Sequence, residues 1–396
     1  MTATTDPLSL PPVPQPAPSS HTMRDRVVAI LFALALALPL LAVSFTWSRT
    51  ATLFEKRPMA PWPAFALSTS FPPNFEHAFA DRFGGRDVLI RAHHASLLEF
   101  FGVSALATVM PGRAGWYYWL GEDGSSLDRH YRGVADFPKS YVDATTAELI
   151  RRNDWLAARG IAYVVAIVPE KFTIYPEFLP SWVAKSAQPS PYDFVVAALQ
   201  ASRVALIDLR PALRAAKARD RVYYQTDSHW NYNGALIGYD TIMREAQRQL
   251  PANRMSKIVP AQRPTYNPGI DFYSGDLIGM LGLPGRIREN DVAPLGKVLA
   301  DTTSRCAKRV DPPVAPDIES YVCDRPELPR AVVYRDSMAI PLIPMLAENF
   351  SRVIFVSSRN LDPALIEREK PDIVIEEMVE RTLHAPGAMP MSPPGR

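Results

Sequence analysis

The stretch Ile161-Ala162-Tyr163-Val164-Val165-Ala166-Ile167-Val168 is almost wholly apolar. An apolar run of this length predicts a strand buried on both faces, as the strands of parallel sheets are. An amphipathic helical pattern over residues 144–159 precedes it, and Gly160 is in place to cap that helix at its C-terminus. A helix that leads into a doubly buried strand predicts an α/β fold.

The same alternation recurs along the chain. Strands are predicted at 204–209, 331–334, 353–357 and 373–375, with helices at 192–201, 233–250, 341–350 and 363–369. A helical segment over 75–101 and a turn with a β-prone strand over 112–121 come earlier. Alternating strands and helices imply a mainly parallel sheet with helices on both faces. Residues 253–329 break the rhythm and are predicted to be an insertion near the functional edge of the sheet.

The N-terminal part of the chain has a different character. Residues 27–45 contain no charged side chain, and a bilayer is crossed by roughly 20 apolar residues in a helix. We therefore expect a transmembrane signal anchor there, with a cleaved signal peptide as the alternative. The expected organisation is a disordered cytoplasmic tail at 1–26, the anchor at 27–45, a proline-rich linker at 46–73, one α/β domain at 74–383 and a disordered tail at 384–396.

The net charge and the cysteine content of the chain bear on its binding partners and on the redox state of its compartment. The chain has 396 residues and a formal net charge of +2, without a long run of one sign, which argues against nucleic acid as the main partner. Cys306 and Cys323 are the only cysteines. In an oxidising compartment they could close a loop worth on the order of 3 kcal/mol, and two buried free thiols are the alternative. Two cysteines without nearby histidines do not predict a zinc site.

The strand predicted at 331–334 leads directly to Asp336 and Ser337. Working residues of open α/β sheets lie on loops at the carboxyl ends of strands, so a hydroxyl is delivered to that edge. The N-terminus of the following helix offers N–H groups for a developing oxyanion. Taken alone, the pair is more simply explained as a helix cap.

A second segment supplies the partners that such a serine needs. In Tyr223-Tyr224-Gln225-Thr226-Asp227-Ser228-His229-Trp230-Asn231, an Asp and a His two residues apart project to the same side of an extended backbone. Asp227 could then orient His229, and His229 could take a proton from Ser337. A surface turn with a structural histidine is the alternative. Ser228 is a poor nucleophile because neighbours in a strand face opposite ways, and His130 is the strongest competing histidine.

With these residues the chain resembles the periplasmic alginate O-acetyltransferase family of the AlgJ/AlgX type, whose catalytic domain has an SGNH-hydrolase-like fold. The resemblance runs from about residue 75 to residue 381, and its blocks come in the family's order. The resembling blocks are Gly115–Tyr118, Ile167–Lys171 with Ile174–Pro176, Thr226–Asn231, Arg335–Met338 and Pro371–Glu377 with Glu380–Arg381. One departure is Arg335, which stands where many relatives carry glycine.

The resemblance implies Ser337 as nucleophile, His229 as base and Asp227 as its orienter, with no cofactor and no metal. It implies O-acetylation of an exopolysaccharide, alginate- or cellulose-like, by a domain in the periplasm, anchored in the bacterial inner membrane. It also implies a multi-spanning membrane acyltransferase as the acetyl-donating partner. Two other activities stay open, a carbohydrate acetyl esterase with the same triad and a non-catalytic polysaccharide-binding scaffold. The aromatics Trp116 to Trp119 could stack on a sugar chain or serve the core.

Overall fold

A computed structural model describes residues 22–46, 59–83, 85–133, 138–252, 254–255, 257–261, 272–289, 306–310 and 315–384. The chain divides into two compact units, residues 1–90 and residues 91–396. The first unit holds helix α1 (Met23–Thr46), helix α2 (Phe71–Arg82) and the beginning of helix α3 (Arg86–Phe101). Every feature of the candidate site lies in the second unit.

The second unit alternates strands and helices from residue 139 onward. Its strands are β1 (Val109–Pro111), β2 (Tyr117–Trp119), β3 (Ala162–Val168), β4 (Ala205–Asp208), β5 (Lys308–Arg309), β6 (Ile318–Val322), β7 (Arg330–Tyr334), β8 (Arg352–Val356) and β9 (Ile373–Val379). Its α-helices after α3 are α4 (Lys139–Ala157), α5 (Lys171–Ile174), α6 (Pro191–Gln200), α7 (Arg210–Lys217), α8 (Tyr232–Gln249), α9 (Asp276–Met280), α10 (Ile343–Ala347) and α11 (Pro363–Glu369). The helical turns of other types are Asp128–Arg132, Pro176–Phe178, Ser337–Leu342 and Glu380–His384.

Seven strands form the main sheet in the order β4-β3-β9-β7-β8-β6-β5. The first five strands in this order, β4, β3, β9, β7 and β8, pair in parallel. The last two, β6 and β5, pair antiparallel and form one edge of the sheet. The register aligns Val164 of β3 with Ile375 of β9, and Val333 of β7 with the same residue. The prediction of a mainly parallel sheet is confirmed.

Helices pack on both faces of this sheet, as predicted. Alternate residues of β3 supply two separate cores: Val164 and Ala166 pack with α8 residues such as Tyr239, whereas Val165 and Ile167 pack against other helices. Six of the seven residues of β3 are buried. This double burial is why the strand is apolar throughout and carries no alternation.

Three local predictions need correction. The helical segment 75–101 is two helices, and the break between them includes Gly85, whose φ of 80° suits glycine best. The helix predicted at 341–350 begins at Ser337 as a 3-10 turn, because Pro341 has no N–H for an α-helical ladder. Among the helices that the structure describes, none combines the length and the apolar character needed to cross a bilayer, so the transmembrane helix predicted at 27–45 is not found.

The segment predicted to be an insertion contributes to the sheet and to the site. Its described residues include β5, β6 and α9, and Cys306 is disulfide-bonded to Cys323 at an S–S distance of 2.00 Å. The bond ties β5 to the end of β6, at the edge of the sheet. Of the two options for these cysteines, the structure shows the disulfide.

Candidate active site

Ser337 stands at the carboxyl end of β7, where the chain turns into the 3-10 helix Ser337–Leu342. Asp336 caps that helix, since its carboxylate accepts a hydrogen bond from the Met338 N–H at 2.8 Å. The other carboxylate oxygen of Asp336 accepts from the Val379 N–H at 2.8 Å, which fixes the turn to the end of β9. Asp336 therefore does the capping, and the hydroxyl of Ser337 is left for another partner.

That partner is His229, on the loop that precedes α8. The Ser337 Oγ–H donates to His229 Nε2 at 2.9 Å, and His229 Nδ1–H donates to Asp227 Oδ1 at 2.6 Å. This assignment of protons is the one that satisfies all three side chains at once. Hence the structure brings Asp227, His229 and Ser337 into one hydrogen-bonded line across a sequence separation of more than a hundred residues.

Asp227 is buried, and both oxygens of its carboxylate accept hydrogen bonds. Oδ1 also accepts from the His229 backbone N–H at 2.9 Å, and Oδ2 accepts from the Tyr273 hydroxyl and from the Asp276 N–H at 3.0 Å. Burial by itself raises the pKa of this carboxyl, but the hydrogen bond and charge of His229 and the hydrogen bond from Tyr273 lower it below its ordinary value. Asp227 is thus an anion held in one orientation.

Opposing effects act on the pKa of the His229 imidazole. Burial lowers its pKa, but the hydrogen bond from Nδ1–H to Asp227 and the negative charges of Asp227 and Asp276 raise it above the ordinary value of histidine. The positive charge of Arg381 acts in the lowering direction. The result is a more basic imidazole, which suits a group that removes a proton from a hydroxyl.

A buried ammonium shapes the loop that carries this pair. Lys171, at the start of α5 beyond β3, is 2 % exposed and donates to the carbonyls of Tyr224, Gln225 and Asp227 at 3.1, 3.1 and 2.6 Å. Burial lowers the pKa of Lys171 to about 8, and nearby acidic groups oppose that shift. The lysine of the Pro169-Glu170-Lys171 block accordingly fixes the backbone of the loop that carries Asp227 through these three hydrogen bonds.

Trp230 joins the two halves of the site. Its indole N–H donates to the Met338 carbonyl at 2.8 Å, so the residue after the histidine is bonded to the residue after the serine. The ring is buried and lies against Gly238 of α8, where an added Cβ would approach Cη2 of the indole to 2.5 Å. Close contact between helix and indole therefore requires glycine at position 238.

We expect Gly238→Ala to lower the free energy of unfolding by about 1–3 kcal/mol, because the new methyl group overpacks a buried ring that cannot move away. Gly279→Ala in α9 is the matched control, since nothing lies within 4 Å of its ideal Cβ. Alanine there should be neutral or stabilise by up to about 1 kcal/mol. Urea unfolding of both variants checks this, and equal effects at the two positions would contradict it.

The structure adds two site residues that the sequence analysis missed. Tyr273 and Asp276 lie in the segment predicted to be an insertion, and both bond to Asp227. Asp276 also accepts from Ser228, at 2.7 Å from the backbone N–H and 2.6 Å from the hydroxyl. The only available signal was Ser274-Gly275-Asp276-Leu277, whose letters suggest a familiar motif in the wrong order.

Asp227, His229 and Asp276 offer ligand-type atoms within 4.8 Å of one another. Their oxygens already accept hydrogen bonds from protein N–H and O–H groups, and His229 Nδ1 is held by Asp227. The donors present therefore assign this cluster to proton chemistry and not to metal binding.

His130, Trp116 and Tyr118, which the sequence also suggested as functional residues, lie outside the hydrogen-bonded line of Asp227, His229 and Ser337. His130 is buried and lines a cavity of about 290 Å³ together with Thr173, Arg210 and Glu380, beyond the carboxyl ends of β3, β4 and β9. Trp116 and Tyr118 are buried in the core, and the Tyr118 hydroxyl donates to the Tyr175 carbonyl at 2.7 Å. These two aromatics accordingly serve packing instead of stacking on a sugar.

Comparisons with known proteins show the family to which this chain is similar. Residues 109–310, about half of the chain, match the family model described as "SGNH hydrolase-like domain, acetyltransferase AlgX". The probable alginate O-acetylase AlgJ of Pseudomonas putida is 30% identical over 131 residues, which is 33% of this chain and 33% of that protein. The protein of the same name from Pseudomonas syringae pv. tomato is 26% identical over 207 residues, or 52% of this chain and 47% of that protein.

Solved structures resemble the chain at lower identity. The O-acetyltransferase domain of Pseudomonas putida AlgJ is 20% identical with a TM-score of 0.43, covering 69% of this chain and 91% of that domain. Bacillus cereus PatB1 with a sulfonyl adduct is 14% identical with a TM-score of 0.49, covering 70% of this chain and 95% of PatB1.

Proposed function

Because the chain belongs to the AlgX-type family of SGNH hydrolase-like acetyltransferases, we propose that it moves an acetyl group through an acetyl-serine intermediate onto a hydroxyl of an exopolysaccharide. The observation that carries this proposal is the continuous hydrogen-bonded line from Ser337 through His229 to Asp227. A nucleophile, a base and an orienting anion in series are the parts that covalent acyl transfer requires.

The first half-reaction forms the acetyl-enzyme. His229 Nε2 takes the proton of Ser337 as Oγ attacks the carbonyl carbon of an acetyl donor. The oxyanion that develops is placed near the Ser337 backbone N–H, since the next N–H, of Met338, is already taken by Asp336. The imidazolium of His229 then gives its proton to the leaving group, and the acetyl ester of Ser337 remains.

The second half-reaction transfers the acetyl group. A sugar hydroxyl enters, gives its proton to His229 and attacks the ester carbonyl. Oγ leaves and recovers the proton from the imidazolium, so the enzyme returns to its first state. Throughout, Asp227 keeps Nδ1–H pointed at itself and stabilises the positive charge that His229 carries.

The polymer and the donor are part of the proposal. The curated relatives are probable alginate O-acetylases, and the family resemblance favours an alginate- or cellulose-like acceptor. A multi-spanning membrane acyltransferase is the proposed source of the acetyl group. Its presence is testable by cross-linking in cells: a covalent adduct between this chain and a membrane protein is expected, and its consistent absence would count against a partner.

For the compartment, we propose the periplasm, with the chain associated with the inner membrane. The Cys306–Cys323 disulfide favours an oxidising compartment. The apolar side chains of α1, including Val28, Leu31 and Phe32, are exposed and suit association with lipid. Cell fractionation of the full chain tests both points, and recovery in the cytoplasmic fraction with reduced thiols would refute them.

The proposed reaction is tested by separating transfer from hydrolysis. The full chain is incubated with an activated acetyl ester, with and without an added oligosaccharide, and the intact protein mass and the products are read. We expect an acetyl adduct on the protein that is discharged onto the oligosaccharide. Free acetate alone would select the esterase alternative, and neither adduct nor acetate would select the scaffold.

A further inference from the structure

A second carboxylate stands beside His229. Asp276 Oδ2 lies 3.6 Å from His229 Nδ1, on the side of the ring that Asp227 also faces. The same Oδ2 accepts from the Ser228 hydroxyl at 2.6 Å, and that hydroxyl is itself 3.3 Å from Nδ1. The Nδ1 edge of the imidazole therefore meets one anion directly and a second anion through a serine.

The backbone is built to bring this second carboxylate close. Gly275 packs so tightly on Asp227 that an added Cβ would come within 2.5 Å of the Asp227 Cβ and backbone nitrogen. The Asp276 N–H donates to Asp227 Oδ2, and the Gly275 N–H donates to the Thr226 hydroxyl at 2.9 Å. Together these contacts clamp residues 275–276 onto the loop that carries the histidine.

We propose that Asp276 is a second positioning residue for His229, which orients the imidazole through Ser228 and shares with Asp227 the stabilisation of its positive charge. This inference rests on the proposed function, in which His229 becomes positively charged twice in each cycle. Asp227 and Asp276 together keep Nδ1–H fixed, while Nε2 exchanges protons with Ser337, the leaving group and the sugar hydroxyl.

The surrounding charges agree with this role. The charged groups that act on Asp276 are Asp227 and His229 on the neighbouring loop, while Lys171 after β3 and Arg381 after β9 both respond to its charge. Burial raises the pKa of Asp276, and the negative charge of Asp227 raises it further, whereas His229 lowers it. A protonated imidazole therefore favours the anionic form of Asp276, which is the form that stabilises it.

The test measures the pKa of His229 directly, so it does not depend on catalytic activity. Histidine labelled with ¹³C at Cε1 is titrated by NMR in the full chain, and the His229 signal is assigned with His229→Gln. We expect Asp276→Asn to lower the pKa of His229, because the amide keeps an acceptor for Ser228 but removes the charge. An unchanged His229 titration in this variant would overturn the proposal.

Ser228→Ala gives an independent reading if Asp276→Asn fails to fold. Without the serine hydroxyl, Asp276 loses both its hydrogen-bonded link to the Nδ1 edge and a donor that stabilises its negative charge, so the pKa of His229 should fall. No change in Ser228→Ala would overturn the proposal in that case. The signals of the other six histidines, which lie outside the 226–231 loop, report whether each variant keeps its fold.

Activity supplies the second readout. In Asp276→Asn we expect kcat to fall roughly 10- to 100-fold with little change in KM, the size of one hydrogen bond or charge contact to an ionised group. The acidic limb of the pH–rate profile should move to lower pH, because a less basic His229 stays neutral at lower pH. A uniform loss at every pH without displacement of the limb would indicate a purely structural role. If the native chain transfers no acetyl group at all, the proposed function fails while the NMR titration still decides the role of Asp276.

Discussion

Ser337→Ala is expected to abolish the acetyl-enzyme and to lower the rate of acetyl transfer by at least about 10³-fold. The reason is that the hydroxyl at 2.9 Å from His229 Nε2 is the only atom proposed to form the covalent ester. Intact mass after incubation with an activated acetyl ester measures the adduct directly, and the position of the acetyl group follows from peptide mapping.

Ser228→Ala is the comparison that shows which of the two serines near His229 carries the acetyl group, whatever its effect on the rate. Its hydroxyl lies 3.3 Å from His229, but at Nδ1, the nitrogen engaged by Asp227, and it donates to Asp276. The adduct should persist in this variant. Acetylation that survives in Ser337→Ala and disappears in Ser228→Ala would reverse the assignment. His229→Ala should cause a severe loss of rate and Asp227→Ala a moderate one, with the fold retained in both.

Lys171→Met is expected to lower the free energy of unfolding by about 3 kcal/mol, because methionine fills the space but leaves buried carbonyls without a donor. Those carbonyls belong to Tyr224, Gln225 and Asp227, so the same change should loosen the catalytic loop and lower kcat. Urea unfolding and initial rates measure the two effects. Lys185→Met, at an exposed lysine, is the control and should change stability by less than about 0.5 kcal/mol.

The lowered pKa of Lys171 also predicts the direction in which the stability of the fold changes with pH. The folded-state pKa of Lys171, about 8, is lower than the ordinary lysine pKa of 10.5, so the unfolded chain binds more protons between these two pH values. Stability contributed by this group therefore rises with pH across that window and is unaffected by pH below it. The stability difference between the native chain and Lys171→Met should widen from pH 8 to pH 10.5. A gap that narrows there would show that Lys171 does not carry a depressed pKa.

Much of the sheet could be predicted because its signals are local. The apolar run at 161–168, the helix period before it and the cap at Gly160 each act within one segment, and the structure has β3 at Ala162–Val168 after α4 at Lys139–Ala157. One expectation was wrong because of a break in the chain, and another was not shown. Gly85 divides one predicted helix into two, and the apolar run at 27–45 did not produce a span among the described helices.

The sequence by itself determined the strand–helix order, the Asp227-x-His229 pair and the serine at the end of β7, since each depends on neighbours in the chain. Only the tertiary structure decided that Trp230 bonds to Met338, that Lys171 holds the loop and that Tyr273 and Asp276 reach Asp227. These contacts join segments about 46 to 108 residues apart. Hydrogen bonding and electrostatic interaction depend on distance in space, and no periodicity along the chain encodes that distance.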